Sequence, residues 1–218
     1  MVNDRPKAPT KTPAKAPAMR RQPKQTRSQE RVHHILDVAE QLFIESGYEQ
    51  ATTREIASRA GVAIGSLYQF FPDKAAIVRA LANRYFAQEY QMFVQLHAEL
   101  AEAELTTYVD RMIDAFAQFA DDHPGYRAVL RQLLDQMTVA DASVPNEYDQ
   151  LMLEGLAHFL AQRNAGLDRD RSQLIATIVF KAANELLWMA FSRESQERSA
   201  VIAETKVLIT AYLKTFGI

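Results

Sequence analysis

The chain is 218 residues long, 48% hydrophobic and 24% charged, a composition that suits a globular protein with one or two domains and a sizeable core. It contains no cysteine, which excludes disulfides, thiolate metal sites and thiol nucleophiles. The formal net charge of −2 is unevenly spread: residues 1–26 carry seven bases against Asp4, a net +6, and the remainder is acidic.

No apolar run in the sequence approaches about 20 residues, so no membrane span is expected. The basic N-terminus lacks the apolar stretch of a secretory signal. A cytoplasmic protein is therefore expected. Residues 1–25 hold five of the eight prolines among alanines and lysines, the composition of a disordered or polyproline-like tail. The tail is either simply solvated or a cationic arm that adds phosphate contacts.

From Thr26 onward the apolar period is helical. Val32, Ile35, Leu36, Ala39, Leu42 and Phe43 mark a first helix, capped by Thr26 or Ser28 and ended by Gly47 in the left-handed conformation. Thr52 and Glu55 have the spacing of a capping box at the start of a short second helix, which Gly61 stops. A short third helix covers about Ala63 to Phe70, and Pro72 cannot continue it. Asp73 caps a long fourth helix that carries Ile77, Leu81, Tyr85, Met92 and Leu96 on one side and runs to about His97. Leu105, Val109, Met112, Phe116 and Phe119 mark a fifth helix, which "DDHPG" breaks. A sixth covers about 125–138. "VADASVP" reads as a loop, with Pro145 suited to the first turn of a seventh helix that "NAG" ends near Gly166. Two apolar helices follow, at about 168–192 and 196–216. No strand alternation and no internal repeat is evident. The expected fold is all-α, with about nine helices.

The stretch "GVAIGSLYQFFPDK" (61–74) carries the functional signal. It is no phosphate-binding loop, because no Gly-Lys-Ser/Thr follows and no strand precedes it. Val62, Leu67 and Phe71 are spaced to point inward, whereas Ser66, Tyr68 and Gln69 occupy the other side of a helix too small to bury all its surface. In the preceding "TREIASRAG", Ala57 sits where two helices must cross closely and Gly61 at a tight turn. Together these make a helix-turn-helix, whose second helix is presented to the DNA major groove.

On these residues, and on "ILDVAEQLFIESGYEQATTREIASRAGVAIGSLYQFFPDKAAI" as a whole, the chain resembles the tetracycline-repressor (TetR) family of bacterial regulators. The match is strong from about Arg27 to Leu81; beyond it only length and helix count agree. The resemblance implies a helix-turn-helix domain at 26–72 and a ligand-binding, dimerising helical core at 73–218. It also implies a dimer that binds a palindromic operator in double-stranded DNA, most often as a repressor, and is released by a small-molecule effector. Carried over, Thr53, Tyr68 and Lys74 would contact phosphates, and Arg54, Ile64, Ser66 and Gln69 would read bases. Two residues depart from the family pattern. Ala63 replaces a common serine cap, and Phe70 stands where a histidine or tyrosine often contacts phosphate.

The resemblance puts the small-molecule pocket between the fourth and eighth helices. Candidate lining residues are Phe93, His97, Tyr108, Met112, Phe116, Tyr126, Met137, Tyr148, Met152 and Trp188, although aromatic and methionine side chains at this spacing fill any helical core. Asn184 is a pocket hydrogen-bonder or an interface polar group, and Arg127 and Arg131 either hold an acidic ligand or face solvent. Leu174, Ile178, Ala182, Leu186, Val201, Leu208 and Tyr212 on the last two helices are candidates for a four-helix dimer interface burying more than about 2,000 Å².

Two other classes compete. An enzyme finds little support: there is no HExxH, no Glu-x-x-His pair and no G-x-S-x-G, and Glu154 with His158 one turn later is a weak signal. A protein-interaction scaffold would use the helix-turn-helix for packing alone. No catalytic residue, metal ligand or cofactor is assigned.

Overall fold

The computed structural model describes residues 26–136 and 146–218; the basic tail, Met137 and the expected Pro145 helix start lie outside the described residues. Those residues form nine helices and no strand. They are α1 (Thr26–Gln50), α2 (Thr53–Arg59), α3 (Ile64–Phe70), α4 (Lys74–Glu99), α5 (Leu105–Asp122), α6 (Pro124–Asp135), α7 (Glu147–Arg163), α8 (Arg169–Phe191) and α9 (Ser195–Lys214).

The local signals act much as the sequence leads one to expect, with three differences. Gly47 does take a positive φ, but with ψ 160° rather than the left-handed helical value, so it kinks α1 and the chain continues to Gln50. That backbone region is open almost only to glycine. Thr52 caps α2 by accepting from the Glu55 amide at 3.1 Å, but the Glu55 carboxylate turns away to Arg59, so the box is only half made. Asn146 closes a full reciprocal box with Asp149 at the start of α7, a cap the sequence reading passes over. Asp73 caps α4 as expected, accepting from the Ala76 amide at 2.6 Å.

Two hydrophobic clusters organise the molecule. One joins α1, α2 and α3 to the first half of α4 and to α6, through Ile35, Leu42, Ile56, Leu67, Phe71, Ile77, Leu81 and Tyr126. The other joins the second half of α4 to α5, α7, α8 and α9. The head is thus not a free-standing unit ending at residue 72. Its core runs on into α4 and across to α6. The meeting of α6 with α1 is close: a Cβ added at Gly125 would come within 2.6 Å of the Glu40 carboxylate and 2.7 Å of the Tyr85 hydroxyl. Tyr85 donates to Glu40, and Arg84 pairs with Glu40 and with Asp37, so α4 is also tied to α1.

By length and composition alone α8 could cross a bilayer, which the sequence reading did not anticipate. Here it packs on α7 and α9, with Ile175, Ala176 and Val179 buried.

Candidate nucleic-acid interface and effector cavity

The turn between α2 and α3 is built on Gly61, at φ 62°, and on a bond from the Val62 amide to the Ala57 carbonyl at 3.0 Å. Ala57 is buried, so a larger side chain there would push the two helices apart. On α3, Leu67 and Phe70 face the core. Ile64, Gly65, Tyr68 and Gln69 form one exposed face, and Ser66 is half-buried at its edge. The Tyr68 hydroxyl lies 3.1 Å from Thr53 Oγ1, which joins that face to the start of α2. Arg54 is exposed beside them; Arg59, not Arg54, takes both Glu55 and Glu45. These six candidate readers and phosphate contacts therefore share one surface.

Lys74 does not join them as a free cation. Its ammonium donates to the carbonyls of Tyr48 at 2.5 Å, Ala51 at 2.9 Å and Glu49 at 3.3 Å, and sits 4.0 Å from the Tyr48 ring centre. An ammonium has three protons, and all three are used. Lys74 clamps the end of α1 to the start of α4. Phe70 is sealed in the core, which accounts for its apolar character where the family pattern often has a phosphate ligand.

Behind the head, a cavity of about 760 Å³ lies among α4, α5, α6, α7, α8 and α9. Its walls include residues of both hydrophobic clusters, so it straddles the seam between them. Phe93, Tyr108, Met112, Phe116, Tyr126, Met152, Asn184 and Trp188 all line it. Four expected lining residues do not. His97 stands behind the wall, its Nδ1 2.8 Å from the Tyr108 hydroxyl and its ring stacked on Phe93; burial lowers its pKa, and His158 adds to the effect. Arg127 and Arg131 lie one turn apart on the outer side of α6, both exposed, because Tyr126 and Val129 take the inner side. Arg127 donates to the Phe191 carbonyl at 3.0 Å. Tyr148 also lies off the wall, packed on Tyr90.

The sequence reading missed most of the ionisable lining: Arg79, Glu89, Glu147, Asp149 and Lys181 join Glu185, the polar neighbour of Asn184 in an apolar helix. Glu89 had a legible signal. It falls on the apolar stripe of α4, four residues from both Tyr85 and Phe93. It accepts from the Tyr126 hydroxyl at 2.6 Å, and burial, reinforced by the charge of Asp149, pushes its pKa up to about 7.

On the far side, α8 and α9 present Leu174, Ile178 and Leu208, each 42% exposed or more, with Met189 and Val207 beside them. Ala182, Leu186, Val201 and Tyr212 are half-buried at the margin. Glu154 and His158 are both exposed, and His158 Nε2 lies 2.9 Å from Gln162, so this pair is a surface contact.

A family model described as bacterial regulatory proteins, tetR family, matches residues 35–81, and one described as tetracyclin repressor-like, C-terminal domain, matches residues 104–213. The chain belongs to the TetR family. TetR-family members are transcriptional regulators, and this chain is a DNA-binding regulator with their all-α architecture. It is 27% identical over 180 residues to the HTH-type transcriptional activator FasR of Mycolicibacterium smegmatis, covering 79% of this chain and 78% of that one. It is 44% identical over 57 residues to the HTH-type transcriptional repressor KstR of Rhodococcus jostii, covering 26% of this chain and 27% of the repressor. Among solved structures, FadR of Bacillus subtilis in complex with stearoyl-CoA shares the fold with a TM-score of 0.59 at 21% identity, over 83% of this chain and 96% of that one. A TetR-family regulator from Pectobacterium atrosepticum aligns with a TM-score of 0.68 at 16% identity, over 89% and 97%.

Proposed function

We propose that this TetR-family regulator is a homodimer that binds a palindromic operator through α3 and releases it when a small molecule fills the cavity. The observation that carries the reading is the division of α3: Leu67 and Phe70 are sealed, while Ile64, Tyr68 and Gln69 stay exposed with Thr53 and Arg54 beside them. In this reading Thr53 and Tyr68 meet phosphate, Arg54 and Gln69 pair with guanine and adenine edges, Ile64 meets a thymine methyl, and Ser66 contacts a base edge. Leu174, Ile178, Ala182, Leu186, Val201, Leu208 and Tyr212 pair with a second copy and set the two α3 helices about one DNA turn, ~34 Å, apart.

The effector has a large apolar body. The cavity walls are mostly aliphatic and aromatic, and FadR of Bacillus subtilis, which shares this fold, was solved with stearoyl-CoA. α4 links sensor to reader: Ile77 and Leu81 belong to the head cluster, and Ala82, Phe86 and Glu89 line the cavity. A ligand changes operator affinity only as far as it prefers one separation of the heads over another. Repression is the simplest outcome of such occupancy. A second reading, activation, is favoured by the FasR likeness, which covers 79% of this chain where the KstR likeness covers 26%.

The test is selection of duplexes by the full chain, followed by gel-shift titration. An inverted repeat is expected, with Arg54→Ala and Gln69→Ala each costing about 1–3 kcal/mol at one base position per half-site. A folded dimer that retains no preferred sequence sinks the proposal. Transcription from a promoter carrying the selected site, with and without the regulator, gives the sign.

A further inference from the structure

The geometry points to a positively charged, amine-bearing head on the effector's apolar body, held by Glu89. This rests on the cavity being the effector site, and it names the head group.

The charge pattern of the walls carries the inference. Glu89 is 8% exposed, lines the cavity and stands midway along α4. Among the described residues its one hydrogen-bond partner is the Tyr126 hydroxyl, and no cation pairs with it. Neither cationic residue of the described wall, Arg79 or Lys181, is paired with Glu89. Arg79 lies 3.7 Å from Asp73 at the start of α4 and keeps a buried Nε without a hydrogen-bond partner, while Lys181 acts on Asp149, in the α7 capping box, through its charge and not through an ion pair. At this point of the wall an anionic head would face Glu89 and Asp149, and Arg127 and Arg131 are on the outside. A cationic head meets the opposite situation. It supplies the charge that the buried carboxylate lacks, in a place where an unpaired charge is costly and a well-formed pair is strongly favoured over a broken one. The rings of Phe86, Phe93, Tyr126 and Trp188 line the same cavity, and their faces attract cations. The raised pKa of Glu89 fits a carboxyl in need of such a partner.

Trp188 is the sole tryptophan and lines the cavity, so its emission reports filling. The experiment titrates the full chain at about pH 8, where Glu89 is ionised, with decylammonium, decanol and decanoate, one chain with three heads. Decylammonium is expected to bind at least about tenfold more tightly than either of the others. Glu89→Gln should erase that preference while leaving decanol within about twofold. Tyr126→Phe, which removes the hydroxyl that competes for Glu89, should strengthen decylammonium binding. Equal affinities for the three heads, or a preference that survives Glu89→Gln, overturn the assignment of the head and leave the cavity as effector site. If none of the three alters Trp188 emission, the cavity reading falls as well.

Discussion

Glu89 and Lys74 are the two residues whose surroundings do most to define this chain, and both are charged side chains turned inward. Glu89 is nine-tenths buried, and its pKa rises from 4.5 to about 7 through burial, with Asp149 on α7 adding to the rise and the Tyr126 hydroxyl on α6 opposing it. Arg79 on α4, Glu147 on α7, and Lys181 and Glu185 on α8 complete the ionisable wall. The folded state therefore holds a proton on Glu89 that the unfolded chain gives up more readily. The resulting penalty is absent below about pH 4.5, grows between 4.5 and 7, and is complete above 7. Glu89→Gln is expected to raise stability at pH 8 by about 3 kcal/mol and to make no difference near pH 4, as read by urea unfolding across pH. A difference independent of pH would contradict this. For Lys74 the sign reverses. Lys74→Met removes three bonds from an ammonium to carbonyls and is expected to cost about 2 kcal/mol in urea unfolding, with operator binding weakened uniformly across sequences. The type and position of both residues could be read from the sequence. Lys74 reads as a phosphate ligand until the carbonyls of Tyr48, Glu49 and Ala51, more than 20 positions away, are seen to surround it. No local pattern encodes that contact.

Among the helices, α3, to which the proposed function gives the reading, is the least supported locally. It has seven residues, starts at Ala63 without a side-chain cap, and depends on Leu67 and Phe70 to hold it against the head. Isolated helices of that length do not form, so its position is set by tertiary packing. Ala63 already has the extended backbone of a cap, at φ −62° and ψ 139°. Ala63→Ser is therefore expected to stabilise the head by about 1 kcal/mol, a rise of roughly 2–4 °C in melting temperature. No rise would mean that the amides at the start of α3 are already satisfied. Helix extents were largely legible because caps and breakers are local: Thr52, Gly61, Asp73 and the break before Pro124 all act where the sequence places them. The geometry at Gly47 and the turning of Glu55 toward Arg59 were not, because each is decided by what packs against it. The cavity walls were half legible for the same reason. Periodicity places Tyr126 and Arg127 on the same helix, but only the docking of α6 shows which of them faces in.

Across the whole molecule, the exposed apolar face of α8 and α9 is the surface that a single copy leaves wet. Ile178 and Leu208 are 42% and 51% exposed, so an aspartate at either costs the monomer little, whereas a paired interface would have to bury two new charges. Ile178→Asp with Leu208→Asp is expected to give a folded monomer in sedimentation velocity and to weaken operator binding by at least about a hundredfold, through loss of the linked second half-site. A dimer that persists in the double variant would move the interface elsewhere. The contact at Gly125, where α6 has no side chain between it and Glu40, sets α6, which lines the cavity, directly against the head. The cavity lies along the line where they abut the α5, α7, α8 and α9 bundle. In the proposed mechanism a guest lodged there acts as a shim between two jaws. Its thickness, more than its grip on any one wall, would then set how far apart the tips of the calipers rest on the double helix.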